Sequence, residues 1–215
     1  MIGTLALVGA LLTSPTMDKV KFNHTYTAGQ KETYTFDLKG DTSQGEMAFE
    51  TGFDVVFSDK SEKGTPVAVK ATKLNMNMGG QVMDRSSDTP ELKFVLDEFG
   101  MPDSFNMEGE QAILTLPFLI TYLPNKELEV GEEFKIDWKA GDITYKGSGK
   151  FEGTETVDGK TWPKLAVKAV LHPGEDHDGE LTYSVYFDKD NGKVMLVKGA
   201  ANIESEEFKF TLTKK

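Results

Sequence analysis

Leu123-Pro124-Asn125-Lys126-Glu127-Leu128-Glu129-Val130-Gly131 divides this chain, because the pattern that follows it repeats the pattern that precedes it. Tyr34, Phe36 and Leu38 alternate with Thr35, Asp37 and Lys39. A hundred positions later Phe134, Ile136 and Trp138 alternate with Lys135, Asp137 and Lys139. Residues two apart share one face of a strand, so each triplet marks a strand with one apolar side. Val67-Ala68-Val69-Lys70-Ala71 matches Leu165-Ala166-Val167-Lys168-Ala169 at an offset of 98 (165 − 67). Glu91-Leu92, Phe94, Leu96 and Asp97-Glu98-Phe99-Gly100 match Glu180-Leu181, Tyr183, Val185, Phe187 and Asp188-Lys189-Asp190-Asn191-Gly192 at an offset near 90. Three matches in one order, with a drifting offset, fit a duplication in which loops changed length while strands kept their faces. The competing reading is a plain β meander, which also alternates and also turns at Asp and Gly.

The organisation that follows is a signal peptide at 1–16, a first β repeat at 17–109, an apolar helix and hinge at 110–125, and a second β repeat at 126–215. The halves share one core. The expected fold class is mainly β with a minor α part: a curved antiparallel sheet or open barrel of two meanders, with one buried apolar segment between them.

Composition narrows the function classes. The 215 residues carry 24 Lys and Arg against 35 Asp and Glu, a net charge of -11. Such a surface repels phosphate backbones, so a nucleic-acid partner is not expected. A 38% hydrophobic fraction with 14 Phe suffices for a core. The chain has no cysteine, which excludes disulfides, thiolate metal sites and a cysteine nucleophile. Residues 2–12 form an uncharged apolar run of signal-peptide rather than membrane-spanning length, so a secreted or periplasmic location is expected. A first buried strand is the alternative, and no Lys or Arg precedes the run.

Between Lys19 and Gly109 nearly every segment reads as strand. Val67, Val69 and Ala71 are in phase with one another but out of phase with Leu74, Met76 and Met78, which predicts a β-bulge near Thr72. Residues 79–90 read as polar loop. Residues 112–123 (Ala112 to Leu123) are uncharged and apolar almost all round, and a helix of that kind has to be buried. Pro117 fits the first turn of a helix capped by Thr115, or divides two helices. A buried strand is the alternative, and the segment is too short to span a bilayer.

Leu123-Pro124, Val130-Gly131-Glu132, the aromatic Phe134 and the Asp188 to Gly192 turn resemble a signature of an uncharacterised family of secreted or lipid-anchored bacterial envelope proteins. Phe134 stands where that pattern has Trp, and the lipidation cysteine is missing. A curved antiparallel sheet around an apolar helix is more loosely similar to the periplasmic lipoprotein carriers with open β-barrels. That resemblance implies a fold and carries no site residue across.

Few motifs suggest chemistry. Residues 153–161 resemble a phosphate-binding loop but have one residue too many between the glycines, and no helix pattern follows. His172-Pro173-Gly174-Glu175-Asp176-His177-Asp178-Gly179-Glu180 carries metal-type ligands, yet reads as a solvated acidic loop. Asp188 to Gly192 reads as a hairpin turn. No nucleophile, base and orienting group come together among only three histidines, so no catalytic residue, metal or cofactor is expected. Two functions remain: a binding module for an apolar ligand such as a lipid or acyl chain, or a structural or interaction domain of the cell envelope. The residues expected to line an apolar ligand are Met76, Met78, Phe94, Leu116, Phe118, Leu119 and Trp138, the methionines because flexible thioethers suit an adaptable cavity.

Overall fold

The computed structural model describes residues 19–43, 45–87, 89–105, 109–173 and 178–215. The signal-peptide reading at 1–16 lies outside these residues. In chain order the elements are β1 (Val20–Phe22), β2 (Lys31–Thr42), β3 (Gly45–Phe57), β4 (Thr65–Met78), β5 (Gln81–Asp84) and β6 (Leu92–Leu96). There follow α1 (Gly109–Leu119), β7 (Lys126–Leu128), β8 (Glu133–Ala140), β9 (Ile143–Val157), β10 (Lys160–His172), β11 (Gly179–Asp188), β12 (Lys193–Ile203) and β13 (Glu206–Lys214). The polar stretch expected as loop at 79–90 contains β5.

Eleven strands form one curved antiparallel sheet in the order β5-β4-β3-β2-β13-β12-β11-β10-β9-β8, and β6 also pairs with β4. The sheet is open, with β8 at one edge and β5 and β6 along the other. Its middle is the pairing of β2 with β13, the first and last strands of the sheet in chain order. The stretch read as a hinge is partly strand: β7 pairs with β1, setting Leu128 opposite Val20.

β2-β3-β4-β6 and β8-β9-β10-β11 are both antiparallel meanders, and Phe36, Phe134, Ile136 and Trp138 all point into one core. The expected equivalences shift in detail. Val67 pairs with Phe94, but Leu165 pairs with Val185 and leaves Tyr183 to Val167. A two-residue slip of this kind keeps every side chain on its face. The surroundings also differ, since β2 has a strand on each side while β8 has one only.

The predicted bulge is present. Gly52 pairs with Lys73 and Phe53 with Ala71, leaving Thr72 unpaired. The extra residue returns Leu74 to the inner face, where it is fully buried with Val67 and Val69. The second half has its own bulge on the preceding strand, where Lys164 faces Gly153 and Leu165 faces Phe151.

Inner glycines admit the large aromatics. A Cβ on Gly149 would lie 2.1 Å from the Phe134 ring, and one on Gly199 would lie 2.8 Å from Phe210. Gly149→Ala should therefore displace Phe134 and destabilise the fold by about 1–3 kcal/mol. Urea unfolding monitored by tryptophan fluorescence measures this, with Gly179→Ala, a strand glycine whose Cβ would meet nothing closer than 3.6 Å, as the comparison.

Candidate ligand-binding cavity

The segment at 112–123 is neither a strand nor two helices. It forms the single helix α1 and the turn after it. Proline does not fit a central strand, and Pro117 sits near the helix C-terminus rather than in the first turn. Thr115 is not the N-cap; it lies within the helix, its hydroxyl donating to the carbonyls of Gln111 at 3.1 Å and Ala112 at 3.2 Å. That local bonding buries the hydroxyl without an unmet partner. Thr121 closes the C-terminus, its hydroxyl donating to the Phe118 carbonyl at 3.1 Å.

α1 lies against the concave face, and the two sides of its contact differ. On one side Phe118 meets Phe94 edge-to-face at 5.0 Å and Phe53 at 6.4 Å, while Leu119 is fully buried. On the other side Leu116 and Ile120 face a cavity of about 210 Å³. Its far wall comes from β2, β3 and β10 to β13, chiefly Phe36, Leu171, Ala201 and Phe210. Among the described residues no polar atom faces this cavity. Small residues leave the room: Ala201 and Gly179 stand where neighbouring strands carry Leu or Phe, and a Cβ on Gly179 would meet nothing closer than 3.6 Å.

Of the residues expected to line a ligand, Leu116 faces this cavity. Phe94, Phe118 and Leu119 belong to the filled packing on the other side, and Trp138 is buried at the β8 edge of the core. Met76 is half-buried and Met78 is 41% exposed, both at the far end of the inner face. Phe36, Leu171, Ala201 and Phe210 were missed because each reads as an ordinary inner strand position. The small inner residues Gly179 and Ala201 were the only local signal.

The opposite end of the sheet is polar and closed. Glu32, 3% exposed, is ion-paired with Lys193 at 2.5 Å and Lys214 at 2.8 Å, and its other oxygen accepts from the Tyr34 hydroxyl at 2.5 Å. Burial by itself would raise the Glu32 carboxyl, but the two ammoniums and the tyrosine hydroxyl outweigh it and hold it below its usual value. Lys193 also lies over the rings of Tyr26 and Phe57, at 5.8 and 5.5 Å. A cavity of only about 30 Å³ separates this cluster from Phe118 and Thr121, room for about two water molecules. Over it runs the segment after β1, gripped by two turns. Gly100 packs on the His24 ring, and the Gly192 carbonyl accepts from the Thr25 amide at 3.0 Å. His24 Nε2 donates to the Thr121 carbonyl at 2.9 Å, tying the segment to the end of α1.

Two of the discounted motifs are turns. Val157 pairs with Lys160, so Asp158-Gly159 is the two-residue loop of the β9–β10 hairpin, both residues at positive φ. Asp188 caps its own turn, accepting from the amides of Asp190 and Asn191. His172 is paired with Asp178, while Gly174 to His177 lie outside the described residues. No group of three or more His, Asp or Glu is arranged for a metal among the described residues. No described helix is long and apolar enough to cross a membrane.

No family model and no curated protein matches the chain. Among solved structures it is similar to DynF from the dynemicin biosynthesis pathway of Micromonospora chersina, at 8% identity over 99% of this chain and 91% of that one, with a TM-score of 0.26. It is also similar to a Vibrio parahaemolyticus chain described as an outer membrane lipoprotein-sorting protein domain, at 8% identity over 87% of this chain and 84% of that one, with a TM-score of 0.25. Likeness at this level bears on neither fold nor function.

Two outcomes follow from the asymmetry around α1. Phe118→Ala should cost about 3–5 kcal/mol, while Leu116→Ala, beside space that is already empty, should cost about 2 kcal/mol. Urea denaturation compares them. Separately, burial lowers His24 to about 4, with Lys193 adding to the effect and the Thr121 carbonyl and Glu32 opposing it. The unfolded chain therefore takes up that proton first, and the stability from neutral His24 is complete above pH 6.5 and lost as the pH falls toward 4. His24→Gln, which keeps a donor for Thr121, should flatten the slope of stability between pH 6.5 and 4.5.

Proposed function

We propose that this protein is a non-catalytic binding module for an apolar ligand, a lipid or a similar alkyl-chain molecule. The observation that supports it is the all-carbon cavity of about 210 Å³ between α1 and the concave sheet. Well-packed interiors leave few voids larger than a water molecule. An apolar cavity of ~150 Å³ stays dry and takes up benzene or xenon, so a larger one is a competent site for apolar molecules. Water in such a site is easily displaced, because no polar atom among the described residues faces the cavity to hold it.

The acidic surface argues for a ligand whose polar end is uncharged or cationic. The apolar run at 2–12 is the basis for reading the protein as secreted or periplasmic, where apolar molecules need a carrier through water. The competing reading, a structural or interaction domain of the envelope, treats the void as a packing defect with no occupant.

Titration with 1-octanol separates the two. Saturable shifts of the Leu116, Ile120, Leu171 and Leu181 methyl resonances are expected, and Ala201→Phe, which fills the cavity, should remove them while costing less than overpacking a filled core, about 1–3 kcal/mol. An absence of saturable binding to the wild-type protein would leave the structural reading.

A further inference from the structure

We infer that the ligand is a long-chain amphiphile without an anionic head, whose chain leaves the cavity past Met47 and lies along a methionine face formed by Met47, Phe49, Met76, Met78 and Met83. This rests on the cavity reading above and adds the length and path of the ligand.

The cavity is too small for such a chain. Six ring carbons occupy an apolar cavity of ~150 Å³, so about 210 Å³ holds about eight carbons. Pockets for whole small molecules start at ~300 Å³. Met47 belongs to the cavity wall. It pairs across the strands with Met78, while Leu38, also on that wall, pairs with Phe49, Phe49 with Met76, and Met76 with Met83. Cross-strand partners share a face, so these five side chains continue the inner surface directly from the cavity.

The outer face of the same strands carries Glu46, Ala48, Glu50, Asn75 and Asn77. Val82, 70% exposed, interrupts that polar face, so the larger apolar surface is the inner one. Met78 is 41% and Met83 39% exposed, while Met47, Phe49 and Met76 are half-buried. A cluster of exposed flexible thioethers is unusual on a surface and well suited to an alkyl chain of variable conformation. Asp41, Glu46 and Glu206 stand at this end of the sheet, and together with the net charge of -11 they disfavour an anionic head.

Calorimetric titration with 1-hexanol, 1-octanol, 1-decanol and 1-dodecanol tests the path. Affinity should rise about fourfold per methylene through 1-octanol and keep rising to 1-dodecanol. Met78→Gln combined with Met83→Gln, both at exposed positions, should leave 1-hexanol and 1-octanol unchanged and reduce 1-dodecanol to the 1-octanol level. A wild-type plateau at 1-octanol would overturn the extended path while leaving the cavity reading intact. Equal losses at every chain length in the double variant would overturn it too. Failure of all four alcohols to bind would overturn the cavity reading itself, and this inference with it.

Discussion

The pairing of β13 with β2 is the constraint on which the other features depend. Seven residue pairs, from Phe208 opposite Gly40 to Lys214 opposite Tyr34, join the beginning of the sheet to its end. Without them each meander would end in an unpaired strand with an apolar inner face. With them the sheet is continuous, and its concave side can enclose a helix. Glu32 reinforces the seam where it reaches the closed end, because its carboxylate pairs with Lys214 of β13 and Lys193 of β12. Removing one partner from such a group leaves an uncompensated buried charge, so the cluster enforces this arrangement of strands more than it adds net stability.

Around the seam the molecule divides by polarity. At the closed end, ring stacking among His24, Tyr26 and Phe57 and the grip of Gly100 and Gly192 leave a cavity of only about 30 Å³ against α1. At the open end, small residues on β11 and β12 withhold the side chains that would complete the packing against Leu116 and Ile120. From Gln111 onward the helix and the turn after it carry no charge, because they face both regions: Phe118 anchors them in the filled side, while Leu116 and Ile120 form the wall of the empty one. A void of this size lowers stability by forgoing van der Waals contacts, which is easier to understand where something else occupies the space.

Much of this was legible in the chain. Period-two alternation marked most of the strands, the phase slip marked the bulge at Thr72, and the absence of charge from 112 to 123 required burial. These are local patterns, and the physics behind them, side-chain direction and the cost of hydrating apolar surface, acts over a few residues. The Thr115 cap and the loop at 79–90 were misread for related reasons. A threonine before a proline looks the same whether it starts a helix or bonds back within one, and Gln81–Asp84, with only Val82 and Met83 apolar, is a short, exposed edge strand inside a polar stretch.

The sequence by itself determined that this protein is a mainly antiparallel β structure with one buried apolar segment, because strand periodicity and an uncharged stretch admit few other outcomes; that the segment is a single helix came from the tertiary structure. Only the tertiary structure decided which apolar residues fill the core and which surround a cavity. Phe118 and Leu116 are two positions apart and chemically alike, yet one packs against Phe94 and Phe53 and the other faces open space. That difference is set by Gly179 and Ala201, more than sixty residues away in the chain. Packing complementarity is a property of surfaces brought together from distant segments, and no local pattern records it.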